Sequence, residues 1–456
     1  MLISFSVSNY RSFGEEVTLN LVASNKLSDH RNHCVPIGET GKSVLRTAVL
    51  YGANAAGKSN LVRAMEFAQS LVIENRRKGP TAERFQFAPQ FEKLPSSFEF
   101  RFLVHSRVFT YGFDLHKSRI ENEWLTVLTG EEERVLFERD AAGQTTVAST
   151  ERLFPDGKEL TKLLRNQAET PLRENQLFLN RLSELPASAQ GATLNAVVQW
   201  LTSSLVILPA DYRAPDLLDR LQSDSAFRDF SATFLRQVGT GIDELKVEES
   251  EIDAPPNLPR LSPPAGTALG QRSTLSDDVD LRPNPDDPAR LLVRTLLTYH
   301  TVNGEKYPLQ FRNESDGTRQ LLHLLPVLAD QATVFVVDEL DRSLHPLMCQ
   351  EFIRLFSESC PGAQRQLIVT THEAHLLDQG LLRRDEYWFV EKDAQHQSRL
   401  TSLADFNIRK DLQIEKAYLQ GRFGAIPMMG SLEPLRRRLE CHDIREAEHA
   451  AQASST

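Results

Sequence analysis

The sequence predicts an α/β fold in which a mixed sheet, an antiparallel β subdomain and a helical insertion share one chain. Three observations predict it. Apolar and polar residues alternate over residues 2–22 and 96–115, a glycine-bearing loop lies between a strand and a helix at residues 43–59, and helical spacing takes over after Glu159. The 456 residues suffice for two or three domains, or for one large domain carrying an insertion. With 40% hydrophobic and 25% charged residues, the composition is that of a globular protein and excludes a disordered or fibrous chain.

Taken in order, Ile3, Phe5 and Val7 and then Val17, Leu19 and Leu21 mark two strands around the turn Asn9-Tyr10-Arg11-Ser12-Phe13-Gly14. Residues 43–51 read as a strand that runs into the glycine loop and a helix beginning near Lys58. Phe98, Phe100, Phe102 and Val104, followed by Val108, Thr110, Gly112 and Asp114, predict a hairpin turning near His105-Ser106. Leu160, Leu163 and Leu164, then Leu194, Val197, Val198 and Leu201, carry helical spacing too irregular for a coiled coil. Prolines at 255, 256, 259, 263, 264, 283, 285 and 288 predict a flexible linker. Beyond it, residues 289–300 resume helical spacing and 307–311 are strand-like. The expected organisation is 1–158 as the first half of the main domain, 159–252 as a helical insertion, 253–288 as the linker and 289–456 as the second half with a tail.

No apolar run approaches the roughly 18 residues a membrane span needs, and the start of the chain lacks a basic stretch followed by a hydrophobic one, so a cytoplasmic protein is expected. Cys34, Cys349, Cys360 and Cys441 form no CxxC pair, which points to reduced thiols and to neither a disulfide framework nor a zinc site. The formal charge of −10 argues against a surface that coats nucleic acid. The basic runs Arg76-Arg77-Lys78 and Arg436-Arg437-Arg438 read as solvated helix faces, with a local nucleic-acid patch as the alternative.

Gly52-Ala53-Asn54-Ala55-Ala56-Gly57-Lys58-Ser59 fits GxxxxGKS at every fixed position. Glycines in such a loop let backbone N–H groups close around phosphates, Lys58 reaches the β and γ phosphates of ATP, and Ser59 ligates Mg²⁺ at the positive end of the following helix. Val334-Phe335-Val336-Val337-Asp338-Glu339 is a buried-strand run ending in two carboxylates, which sets Asp338 beside the magnesium shell and Glu339 where it can polarise the attacking water. Ile368-Val369-Thr370-Thr371-His372 ends a second buried strand in a histidine, 34 residues after Asp338 (372 − 338), and the neighbouring strand of such a sheet brings His372 to the γ-phosphate.

These motifs, in this order, resemble the ABC/SMC-type ATPases. With Asn9-Tyr10-Arg11-Ser12-Phe13, the segment Glu339-Leu340-Asp341-Arg342-Ser343-Leu344-His345-Pro346, Thr371-His372 and Tyr418-Leu419-Gln420-Gly421-Arg422-Phe423-Gly424-Ala425-Ile426-Pro427, the chain is similar to the AAA-family ATP-binding proteins of prokaryotic anti-phage systems, the class of RloA, the OLD-family ATPases and the Septu ATPase. The resemblance implies an ABC-type P-loop NTPase head. It implies a head-to-head homodimer, or a higher assembly, around two ATP molecules, each bound by one copy's loop, through Asn60, and by the other copy's signature motif. The motif candidate is Glu314-Ser315-Asp316-Gly317-Thr318-Arg319-Gln320, whose Ser315 and Gly317 would meet the γ-phosphate; an ordinary capped helix is the alternative. By the same resemblance Ser343, Leu344 and His345 couple the two sites and Arg11 touches the nucleotide. Gln86 and Gln90 are both candidates for the glutamine loop.

The resemblance further implies an ATPase that senses or scaffolds in anti-phage defence, controls a separately encoded, nuclease-like effector, and is triggered by a nucleic acid or phage component. The 29 residues after Pro427 (456 − 427) are too few for a fused nuclease. A DNA-repair or chromosome-associated ATPase that clamps DNA is the alternative, against which the acidic balance and missing coiled coil count. A scaffold with negligible turnover would not need Lys58, Asp338 and Glu339 together. The helical insertion is the expected partner surface.

Overall fold

The computed structural model describes residues 1–38, 40–74, 81–253, 273–276, 278–284, 287, 290–330, 333–360, 363–409 and 412–425. The alternating segments at the start form β1 (Leu2–Ser8) and β2 (Val17–Asn20), antiparallel as expected. Two short strands follow, β3 (Cys34–Pro36) and β4 (Ser43–Leu45), and then β5 (Thr47–Tyr51) leads through the glycine loop into α1 (Lys58–Ile73). The single strand expected over 43–51 is thus two. Arg46 breaks it, turning a fully buried guanidinium back to the carbonyls of Asn32, Ser357 and Ser359.

A long antiparallel meander comes next: β6 (Ser96–Val104), β7 (Arg107–His116), β8 (Arg119–Thr129), β9 (Glu132–Arg139) and β10 (Thr145–Val147). With β1 and β2 it makes a seven-stranded sheet in the order β10-β9-β8-β7-β6-β1-β2. The predicted turn at His105-Ser106 has both residues at positive φ (48° and 63°), the backbone twist that two-residue hairpins favour. One face of this sheet, with Phe98, Phe100 and Phe102, packs in a common core with Leu61, Met65 and Ala68 of α1. Phe102 stacks on Trp200 at 4.1 Å.

The helical spacing of the next segment resolves into α2 (Gly157–Ala168), α3 (Phe178–Ser183) and α4 (Ala187–Gln199). It does not continue to residue 252. β11 (Leu205–Leu208) pairs in parallel with a later strand, α5 (Leu217–Ser223) and α6 (Ser225–Gln237) follow, and β12 (Glu244–Asp253) opens a new sheet. Within the stretch expected as linker, 254–272 lies outside the described residues, while β13 (Ser273–Ser276) and β14 (Val279–Pro283) form strands. Of residues 289–300, expected as a helix, 289 lies outside the described residues and 290–300 belong to β15 (Arg290–Val302), with which β16 (Glu305–Gln310) pairs. The leucines at 291, 292, 296 and 297 satisfy helical spacing. The β-branched Val293, Thr295, Thr298, Thr301 and Val302 and a ten-residue pairing with β12 carry the strand instead.

The remaining elements are α7 (Asp316–Ala329), β17 (Val334–Val337), α8 (Pro346–Glu358), β18 (Gln366–Thr371), β19 (Tyr387–Lys392), β20 (Ser398–Ser402) and α9 (Ile414–Leu419). They complete a six-stranded central sheet in the order β11-β17-β18-β5-β19-β20, parallel from β11 to β19 and antiparallel at β20. Its inner strands are apolar on both faces, as a covered parallel sheet requires. Ala48, Leu50, Val336 and Ile368 face α1 and the antiparallel sheet; Val49, Tyr51, Phe335 and Leu367 face α8 and α9. The third sheet (β12-β15-β14-β13, with β16 on β15) packs on α5, α6 and α7 through Leu221, Phe227, Leu245, Leu296, Leu321 and Leu325. The mixed sheet, the antiparallel β subdomain and the helical insertion of the expected α/β class are therefore all present. No helix among the described residues is long and apolar enough to cross a membrane. The runs 76–78 and 436–438, Cys441 and the tail from 426 lie outside the described residues.

One buried side chain joins the two main sheets. The amide of Gln366 donates to Leu2 O (3.0 Å) and Leu45 O (2.7 Å) and accepts from Leu2 N (2.8 Å). A Gln366→Leu chain leaves three buried backbone groups unpaired, each worth about 1–3 kcal/mol. Urea unfolding should show a loss of about 3 kcal/mol or more; a change below about 1 kcal/mol would mean that water or a shifted strand replaces the amide.

Candidate functional site

The glycines of the loop answer to their own protein as well as to any ligand. Gly57 has φ 119°, and a Cβ there would collide with Ser398 Oγ and close on Ser12 Oγ. At Gly52 a Cβ would strike the Val390 carbonyl. The loop is therefore backed on its outer side by β19, β20 and the Asn9–Gly14 turn. Ser398 Oγ donates to the Ala56 carbonyl (2.5 Å) and lies 2.8 Å from Ser12 Oγ, whose own hydroxyl can donate to it, and Asn60 Nδ2 donates to Ser12 Oγ (2.9 Å). Ala55, with φ 64°, takes the left-handed conformation without being glycine.

Lys58 begins α1 and is buried. Its Nζ donates to Gly52 O (2.7 Å) and Ala53 O (3.3 Å) and lies 3.0 Å from His372 Nε2 and 3.3 Å from Nδ1. Burial draws the ammonium down to about 8, against the pull of Asp341, Asp338 and Glu339, which favour the charged form. Burial first, and then the Lys58 charge, also lowers His372. The ring is thus held toward its neutral form, able to accept a hydrogen bond from the lysine.

Ser59 Oγ donates to Asp338 Oδ1 (3.1 Å), and Thr370 Oγ1 donates to the same oxygen (2.6 Å). Thr370 Oγ1 also accepts the Glu339 N–H (2.8 Å), while the Asp338 N–H is taken by Leu208 O (2.9 Å) on β11. Glu339 sits at φ 53°, a conformation that non-glycine residues rarely hold outside sites that over-determine it. Asp341 accepts the His372 N–H at 3.1 Å. Lys58, Ser59, Asp338 and His372 are thereby brought into one connected cluster, with Glu339 joined to it through Thr370. Sequence reading included Thr370, Asp341 and Ser12 in its motifs without giving them a role, and passed over Ser398.

The donor set suits a hard cation. A hydroxyl and a carboxylate oxygen 3.1 Å apart are what Mg²⁺ takes from a protein when phosphate and water fill the remaining positions. Among the described residues no group of three or more His, Cys, Asp or Glu side chains could hold a metal by itself.

Ser315 and Gly317 stand apart from this cluster in the chain. Ser315 caps α7, accepting the Thr318 N–H at 3.2 Å, and Gly317 lies where a Cβ would come within 2.6 Å of Ser343 O. The capped-helix alternative is therefore present as geometry, and the start of α7 rests on the loop that follows Glu339. Arg11, at φ 50°, pairs with Glu83 (2.7 Å) and lies over the Tyr10 ring. Gln86 and Gln90 are both exposed.

The fold is similar to the structure described as "Crystal structure of the SmcHead bound to the C-winged helix domain of ScpA", at 14% identity and a TM-score of 0.39 over 92% of this chain and 99% of that one. It is also similar to the SMC head domain from Thermotoga maritima, at 13% identity and a TM-score of 0.36 over 88% and 98%. No curated protein matches the sequence. Residues 48–378, which run from the loop strand past His372 and make up most of the chain, match the family described as "AAA domain, putative AbiEii toxin, Type IV TA system", and the chain belongs to that AAA-domain family.

Proposed function

We propose that the protein is an ATPase whose site takes Mg²⁺ and ATP and is completed by a second copy of the chain. The observation that carries this reading is the connected cluster of Lys58, Ser59, Asp338, Thr370 and His372 at the tips of adjacent parallel strands. In this reading the backbone N–H groups of Gly52, Ala53, Asn54, Ala55, Ala56, Gly57, Lys58, Ser59 and Asn60 cradle the phosphates, and Lys58 exchanges its carbonyl partners for β and γ oxygens. Ser59 and Asp338 hold Mg²⁺, which when bound offsets phosphate charge. Glu339 orients and polarises the attacking water, with Thr370 fixing its backbone, and His372 turns from Lys58 to the γ-phosphate. Ser315 and Gly317 of a second copy reach that phosphate at a helix N-terminus, and Arg11 contacts the nucleotide.

A larger role is also proposed, in which nucleotide turnover in a homodimer or higher assembly switches a separately encoded effector in anti-phage defence. The match to a family described by a toxin and a Type IV TA system supports it, as does the sequence resemblance. Residues 159–252, apart from β11, supply the surface assigned to the effector.

Lys58→Ala should abolish nucleotide binding or turnover. Glu339→Gln should bind ATP as tightly as the parent, accumulate as a dimer in size-exclusion chromatography with ATP, and lose roughly 10² to 10⁴ in rate. Parental phosphate release by Glu339→Gln would remove the water-activating role. Thr370→Val conserves volume but deletes the hydroxyl shared by Asp338 and Glu339; kcat should drop by about 10²-fold, the scale expected for a misplaced catalytic group. An unchanged kcat would leave the hydroxyl a structural part only. Cells carrying the chain with its genetic neighbour should plate phage poorly, and Lys58→Ala should restore plating. Equal plating with both chains would reject the defence role and leave the ATPase reading standing.

A further inference from the structure

The C-terminal motif has no part in the chemistry above, yet the structure gives it a definite seat behind the glycine loop. The Tyr418 ring meets Tyr51 edge-on at 5.7 Å and stacks on Phe389 at 5.8 Å; Phe423 stacks on Phe389 from 5.2 Å and meets Phe406 at 5.2 Å. The segment is folded tightly on itself. Tyr418 Oη donates to Ala425 O (3.2 Å), Gly421 N to Tyr418 O (2.8 Å) and Arg422 N to Ala417 O (3.0 Å). Gly421 and Gly424 hold positive φ (78° and 66°), and a Cβ on Gly424 would collide with the Glu391 carboxylate. Residues 426 and 427 of the motif lie outside the described residues.

Tyr51 is the residue before Gly52, whose carbonyl accepts from Lys58. In the sheet register Tyr51 stands opposite Thr371, the residue before His372, on one side and opposite Phe389 on the other. Its ring is wholly buried, and its hydroxyl has no hydrogen-bond partner among the described residues. No polar bond fixes that ring, so its position depends on the aromatic side chains around it. A second link reaches the same place from α9. Glu415 lies 3.9 Å from His375, in the turn Ala374–Leu376 that follows His372, and that turn shares a core with Ala417 and Tyr418 through Leu376.

We propose that Tyr418 and Phe423 are positioning residues for the nucleotide site, bracketing Tyr51 and Phe389 so that the strand tips bearing Gly52 and His372 keep the geometry in which Lys58 and His372 meet. The proposal rests on the ATPase reading for its kinetic arm and is independent of it for its structural arm. Two measurements on the full chain test it: the His372 ring resonances in histidine-labelled protein, and kcat beside the dissociation constant for a fluorescent ATP analogue. Tyr418→Ala should shift the His372 resonances and lower kcat about tenfold or more with less than about threefold change in Kd, the pattern expected of a group displaced by a fraction of an ångström. Tyr418→Phe, which keeps the ring, should leave both at parental values.

Unshifted His372 resonances in a folded Tyr418→Ala chain would overturn the proposal, as would a drop in thermal midpoint with kcat unchanged. Should Tyr418→Ala lose its cooperative melt, Gly424→Ala takes its place. It should push the segment off Glu391 and shift His372, and Gly424→Ala with Glu391→Ala should move the resonances partly back; no shift in the single variant would overturn the proposal. A parental protein without ATPase activity would remove the proposed function, and the resonances would still decide the positioning role.

Discussion

The carboxylate of Asp338 is held by two hydroxyls from different parts of the chain, Ser59 at the head of α1 and Thr370 on β18, and this shared oxygen is the constraint around which the site is arranged. A buried carboxylate oxygen needs hydrogen-bond donors in place of water, and each donor here also serves a second end. Ser59 follows the loop lysine, and Thr370 takes the backbone of Glu339. Bringing β17, β18 and β5 into parallel register is what makes the arrangement geometrically available, because their carboxyl ends then open on one edge of the sheet. The polar residues at that edge are reached only from apolar strands that cannot slip without exposing their core faces.

Much of this was legible in the sequence, for identifiable physical reasons. The glycine loop, the paired acids after Val334–Val337 and the histidine after Gln366–Thr371 are each a short polar signal ending a buried strand, and local signals of that kind survive without tertiary context. The hairpin at His105-Ser106 was equally plain, its phenylalanines alternating cleanly on one face. What failed was the reading of leucine-rich stretches. Leu291, Leu292, Leu296 and Leu297 fit a helix as well as a strand, and only pairing with β12, β14 and β16 decides between them. β11 was lost inside the expected insertion for a related reason: four apolar residues carry no periodicity of their own, and their place beside β17 is set by residues 126 positions later (334 − 208). Thr370 and Asp341 could not be singled out, since a threonine in a strand and an aspartate in a loop are ordinary until their partners are known.

The contacts of the glycines qualify a motif-based view of the loop. GxxxxGKS is commonly explained by what it leaves open for phosphates. Here Gly52 and Gly57 also face Val390, Ser398 and Ser12, so the same glycines let β19, β20 and the first turn pack against the outside of the loop. Gly317 repeats the pattern, its missing side chain admitting the Ser343 carbonyl. In both places a missing side chain lets another segment of the chain approach the backbone closely, and burial at the loop draws the Lys58 ammonium down to about 8.

The order of strands in the central sheet has a consequence for the chain as it is made. β5, whose five residues are all buried, pairs with β18 and β19, and β18 begins 315 residues downstream of its end (366 − 51). At synthesis rates of about 5–20 residues per second, one face and both edges of that strand wait roughly 15 to 60 s for their neighbours. Throughout that interval Ala48-Val49-Leu50-Tyr51 is a sticky segment on the ribosome. The early meander and α1, which cover one face of it, act as a built-in shelter for the nascent chain before any ligand can be bound.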